Sequence, residues 1–93
     1  MITLESIPLR ASQTIVRQDM NGVLLFQTAT DQMYFVGPEA GVVFGLCDGT
    51  RAVRDIVDVL VSQNESWNHI EAERSVVEII DKLLSRRLIE IWK

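Results

Sequence analysis

The sequence predicts an α+β fold, winged-helix-like, with a three-stranded antiparallel N-terminal sheet followed by a three-helix bundle. Three observations carry that prediction. β-branched and aromatic runs fill the first third of the chain, apolar residues at helical spacing fill the remainder, and an Asn-Gly pair separates the first two runs. With 93 residues, a chain buries ~60–65% of its unfolded surface. That suffices for one two-layer core, so residues 1–93 are expected to form a single domain with strands over about 14–36 and helices over about 38–87.

The first strand is Thr14-Ile-Val-Arg-Gln-Asp, ending at Met20-Asn21-Gly22. Asn-Gly is a strong hairpin signal because both residues tolerate positive φ. Val23-Leu-Leu-Phe-Gln-Thr is the second strand. After the polar break Ala29-Thr-Asp31, Gln32-Met-Tyr-Phe-Val36 is the third, which completes a meander. Gly37-Pro38-Glu39 opens the first helix, with Pro in the first turn and an acid at the positive dipole end. Ala40, Val43, Phe44 and Cys47 share one face of it, and Asp48-Gly49 stops it. Thr50 is placed to cap a second helix, in which Val53, Ile56, Val57, Leu60 and Val61 repeat the spacing. Ser62 to Asn68 is a polar link. A third helix runs from about Ile70 to Arg86 with Ala72, Val76, Ile79, Ile80 and Leu83 inward, and Leu88 to Trp92 is a closing strand or extended tail.

Composition excludes several classes. At 47% hydrophobic residues the chain is not disordered. One cysteine forms no internal disulfide, which fits a reducing, cytoplasmic setting. The first residues, Met1-Ile-Thr-Leu-Glu-Ser, lack the basic start and apolar run of a signal peptide, and no stretch approaches the ~18 apolar residues of a membrane span. A net charge of −4 opposes binding to nucleic-acid phosphates.

Reactive side chains are scarce, so an enzyme is not expected. His69 lies in the polar link and reads as a surface or helix-start residue. Cys47 shares a face with Val43 and Phe44 and reads as a buried thiol; its charged neighbours Glu39 and Asp48 have the wrong sign to favour a thiolate. Neither residue has partners at metal-ligand spacing, and no cofactor motif is present. A winged-helix DNA-binding regulator is the alternative. Arg74, Lys82, Arg86 and Arg87 on the third helix speak for it, and Glu71, Glu73, Glu78 and Asp81 speak against it.

An apolar surplus remains. Val77 and Leu84, seven residues apart, form a second row beside the inward stripe of the third helix. On the third strand, Met33 and Phe35 point opposite to Tyr34 and Val36. Either helix and strand cover one another, or a groove lies between the strand edge and the helix. A guest chain would enter such a groove as an added strand, and Arg74, Lys82 or Arg86 along its rim would favour an acidic guest.

The run from Met33 through Gly37-Pro-Glu-Ala and Leu46-Cys-Asp-Gly-Thr50 to Val53, Ile56, Val57 and Leu60 resembles the PqqD-like family. The stretch from Val76 to Glu90 resembles that family's closing helix and its Leu-Ile-Glu end, so the resemblance spans about residues 8–92. Two positions depart from the family pattern: Arg87 stands where a helix-ending Gly is usual, and Gly37 replaces a common Asn. The resemblance implies a non-catalytic recognition element, a peptide chaperone in the biosynthesis of ribosomally made, post-translationally modified peptides. Such an element binds the leader of a precursor peptide as a β-strand and delivers it to a tailoring enzyme such as a radical SAM protein or a leader peptidase. Carried over, the leader pairs with Gln32, Met33, Tyr34, Phe35 and Val36 and lies against Arg74, Val77, Asp81, Lys82 and Leu84. Partners would be that peptide and enzyme, with no nucleic acid and no membrane.

Overall fold

The computed structural model describes residues 2–63 and 67–92. Its elements are β1 (Pro8–Arg10), β2 (Thr14–Asp19), β3 (Gly22–Gln27), β4 (Gln32–Val36), α1 (Pro38–Leu46), α2 (Val53–Gln63), α3 (His69–Ser85) and β5 (Ile89–Ile91). The three predicted strands are β2, β3 and β4, which form an antiparallel sheet in that order. The middle of the expected polar link, residues 64–66, lies outside the described residues.

The first hairpin differs from its prediction in one detail. Asp19 pairs with Gly22, so the loop is Met20-Asn21 rather than Asn21-Gly22. Among the described non-glycine residues only Asp31 and Arg87 have positive φ, so Asn21 is not in the left-handed region. The glycine is needed for space instead: a Cβ on Gly22 would collide with the carbonyl oxygen of Val36 on β4.

The helices form the other layer. Leu25 and Val36 from the sheet meet Val43, Phe44, Ile56, Val57, Val76 and Ile80 in one buried cluster. The helix stripes supply it because residues three and four apart stack on one face. α3 opens with Asn68, whose side chain accepts the Glu71 N–H at 2.8 Å. α2 begins at Val53, later than a Thr50 cap requires. Thr50 instead donates its N–H and hydroxyl to Asp48, and the Ala52 N–H donates to Asp55 Oδ2 at 3.0 Å. Asp48 thus orders the α1–α2 turn, and the Thr50 hydroxyl bond holds its carboxyl below the ordinary 3.8.

The sequence gives little sign of the N-terminal segment's role. Pro8–Arg10 pairs antiparallel with Ile89–Ile91, a second, two-stranded sheet. Around it the Gly49 N–H donates to Pro8 O, the Val53 N–H to Ser6 O, the Arg10 N–H to Cys47 O and the Ala11 N–H to Leu88 O. The segment therefore laces the α1–α2 turn to the end of the chain. Within the expected Leu88–Trp92 segment, Ile89–Ile91 forms a strand.

Between α3 and β5 the backbone closes in a Schellman turn. The Leu88 N–H donates to Leu83 O and the Arg87 N–H to Leu84 O, both at 3.0 Å, with Leu83 and Leu88 buried against the core. Arg87 occupies the left-handed position at φ 60°, where a Cβ is unfavourable by about 1 kcal/mol. Arg87→Gly should therefore raise stability by about 0.5–1 kcal/mol, a Tm gain of a few degrees in thermal denaturation. An unchanged or lower Tm would contradict this account of the turn.

Candidate peptide-binding cleft

The ladder pattern determines which backbone groups of β4 are free. Asp19 and Gly22 close a two-residue loop, so they exchange hydrogen bonds, and so do Arg17–Leu24 and Ile15–Phe26. The intervening pair Thr14–Gln27 is bracketed by the bond from the Thr28 N–H to Gln13 O at 3.0 Å. Val23, Leu25 and Gln27 accordingly turn their backbone groups toward Val36, Tyr34 and Gln32. Met33 and Phe35 are left with N–H and C=O directed away from the sheet. β4 is an edge strand, and these two residues carry its open side.

β2 is also an edge, but the two edges differ. Five of the six β2 residues are exposed, and its Gln18–Asp19 end borders a hollow that α1 lines with Pro38, Gly41, Val42 and Gly45. Next to β4 stands α3. Both pack on α1, which holds strand and helix apart. The space between them is a cleft of about 270 Å³ lined by Phe35, Val36, Gly37, Ala40, Ile79, Lys82, Leu83 and Arg86. That volume is room for a few side chains. Its floor is apolar and its α3 rim is basic. Arg86 stacks over the Tyr34 ring, 4.9 Å from the centroid, and so bridges α3 and β4. Lys82 Nζ lies 3.6 Å from Glu78 Oε1, an exposed pair of little strength. Arg86 is in no ion pair among the described residues.

The predicted site residues divide between places. Val36 and Lys82 line the cleft; Phe35 borders it from the edge of β4, its side chain standing on the opposite side of the sheet. Gln32 and Tyr34 lie on the same side of the sheet as Val36, with the Tyr34 hydroxyl donating to Gln32 Oε1, whereas Met33 lies on the opposite side. Arg74, Val77 and Asp81 line a separate shallow hollow of about 520 Å³ with Ile70, Glu73 and Glu78. It is larger than the cleft but is made by α3 alone and carries three acids. Val77 and Leu84 are half-buried against the core, roughly 140–160° around the helix from Ile79. They do not face β4. The α3 row that does is Ile79, Lys82, Leu83 and Arg86, at i, i+3, i+4 and i+7. Ile79, which the sequence places in the core stripe, is half-buried on this cleft side. Ala40 and Gly37 also escaped the sequence reading; their small size is what leaves room beneath the guest position.

A buried glutamine, likewise unforeseen, secures the far end. Gln27 is 3% exposed; its Nε2 donates to Arg87 O at 2.6 Å and its Oε1 accepts the Ala29 N–H at 3.1 Å. It ties β3 to the Schellman turn and so fixes α3 relative to the sheet.

The reactive candidates stay apart. His69 is exposed at the start of α3, with Nε2 3.2 Å from Asp58 Oδ1. Cys47 is fully buried, its thiol donating to Val43 O at 3.1 Å. Among the described residues no group of three or more His, Cys, Asp or Glu is placed to hold a metal ion, and no helix is long and apolar enough to cross a membrane.

Burial pushes the Cys47 thiol up from 9.0 to about 12, opposed by the charge of Arg10. Its folded pKa thus exceeds its unfolded one, so the stability linked to the neutral thiol is whole below pH 9 and is lost as pH rises from 9 to 12. The loss is at most about 4 kcal/mol. Native protein at pH 8 should therefore resist a thiol-alkylating reagent that modifies the urea-unfolded chain fully. Rapid native labelling would show that Cys47 is accessible.

Comparisons with known proteins bear on the family and the fold. The family model for coenzyme PQQ synthesis protein D (PqqD) matches residues 22–89, which include β3, β4 and all three helices. No curated protein matches the chain. The solved structure of TbiB1 in complex with the TbiA(beta) leader peptide is similar with a TM-score of 0.78 at 16% identity, over 88% of this chain and 94% of that one. Lasso peptide synthetase B1 complexed with the leader peptide is similar with a TM-score of 0.77 at 15% identity, over 90% and 98%. At such identities the likeness establishes the fold.

Proposed function

The chain belongs to the PqqD family, and on that premise we propose that it binds the leader segment of a ribosomally synthesised precursor peptide as a strand added to β4. The carrying observation is the coincidence of two features. The free backbone groups of Met33 and Phe35 open beside a cleft whose other wall is the Ile79–Arg86 row of α3. A strand there gains main-chain hydrogen bonds from β4, and its alternate side chains drop onto Val36, Ala40, Ile79 and Leu83. Lys82 and Arg86 at the rim favour an acidic residue in the guest. The two structural neighbours, each solved with a leader peptide, support the same reading.

In this reading the protein performs no chemistry of its own and acts as one unit across residues 1–93. It holds the leader so that a tailoring enzyme, such as a radical SAM protein or a leader peptidase, can act on the remainder. Taken as winged-helix-like, the arrangement would serve peptide rather than DNA. A DNA role is disfavoured by the acids on the outward side of α3, where Glu73, Glu78 and Asp81 surround Arg74.

Titrating a labelled leader peptide from the precursor encoded beside this chain should give saturable binding at micromolar concentrations. Ala40→Leu, which fills the cleft from a half-buried helical site, should weaken it about tenfold or more, a loss of about 1.4 kcal/mol, with Tm shifted by only a few degrees. No saturation at about 50 μM would contradict the function. Reversing the rim with Lys82→Glu and Arg86→Glu should weaken binding further and flatten its salt dependence; an unaltered salt slope would remove these bases from recognition.

A further inference from the structure

The sheet has a second face that no helix covers. Directly opposed residues of an antiparallel ladder share a face, so Ile15, Phe26 and Met33 form one row there and Arg17, Leu24 and Phe35 another. Five of these six are apolar. Ile15 is 58%, Met33 63% and Phe35 52% exposed, whereas the opposite face carries the fully buried Leu25. Three well-exposed apolar side chains are far fewer than the ~20–30 residues a side of a standard stable interface. A second copy of the chain is therefore a poor occupant for this face.

The β4 register supplies a better one. Met33 and Phe35 are the residues whose backbone groups are free at the edge, and they are also the residues whose side chains stand on this outer face. A strand hydrogen-bonded to them places every second side chain on the cleft side and the others beside Met33 and Phe35, at the ~5 Å spacing of cross-strand neighbours. We propose that the guest strand is read on both faces, the cleft accepting one parity of its side chains and Met33 with Phe35 selecting apolar residues at the other. This rests on the guest-strand reading of β4 given above. A polar residue at an outward position leaves the Met33 and Phe35 side chains in water, while an apolar one covers them. Each outward apolar residue should raise affinity up to about fivefold, the range of a cross-strand pair. Met33 is then a specificity residue that touches nothing in the cleft.

The test is selection from a phage-displayed random nonapeptide library against the full chain and against Met33→Lys, with Met33→Gln in parallel. Wild-type protein should enrich sequences that are apolar at both parities over about five residues, the length of β4. Met33→Lys should keep the apolar preference at the cleft parity and exchange it for Asp or Glu at the outward position. Met33→Gln should lose the outward preference alone, which keeps the test intact if the lysine variant folds poorly. Identical selections by wild type and both variants, or an outward parity without preference in the wild type, would overturn the two-face reading and leave the guest strand standing. No enrichment by any of the three would overturn the guest strand itself and this inference with it.

Discussion

The structure depends on α1 as a spacer. The chain leaves β4 at Val36 and enters α1 two residues later at Pro38, so the helix stands directly at the end of the strand. Val43 and Phe44 anchor α1 in the core, and α3 packs on its other side. Strand and third helix are thereby held near one another without closing. An edge strand normally invites pairing along its whole length, and proteins blunt such edges with charge, bulges or cover. Here the edge is left open on one side only, and α3 restricts what can approach it. The same arrangement explains why β2, the other edge, is not the better site: it carries exposed Arg17, Gln18 and Asp19, and α3 does not pack beside it.

Rigidity at the far end matters equally. Gln27 reaches from the sheet to the carbonyl of Arg87, and the Schellman turn around Arg86–Leu88 fixes the last turn of α3. Arg86, the residue before the left-handed one, is consequently aimed back over Tyr34. A net charge of −4 and a basic rim are therefore compatible. The acids lie largely elsewhere, three of them around the hollow on the outward side of α3, while Lys82 and Arg86 are turned to the cleft. Affinity in such a site comes from main-chain pairing and burial of a few side chains, and charge sets orientation and rate more than strength.

Much of this was legible in the residues. Local periodicity placed β2 and β4 at their observed bounds and β3 one residue late, because period-two and period-3.6 patterns follow directly from backbone geometry. The double apolar facing of Met33–Val36 was visible for the same reason. Three features were not. The flank of α3 that meets β4 depends on packing rather than pattern: Val77 and Leu84 looked like surplus, yet they sit against the core, and Ile79 looked like core but borders the cleft. The lacing segment around Pro8–Arg10 pairs with residues about eighty positions away, which no local signal announces. Gln27 alternates like any strand residue, and only the folded chain shows that its partner is the Arg87 carbonyl. Arg87 itself was readable as a departure from a glycine position, and its positive φ accounts for that position's usual preference.

The central claim is that the open side of β4 is a template for a guest strand. Amide hydrogen exchange, followed residue by residue with and without saturating leader peptide, measures this most directly. The account predicts that Met33 and Phe35 amides, unpaired in the free protein, become strongly protected on binding, while Tyr34 and Val36, already bonded to β3, change little. Binding that leaves Met33 and Phe35 exchanging as fast as before would contradict it.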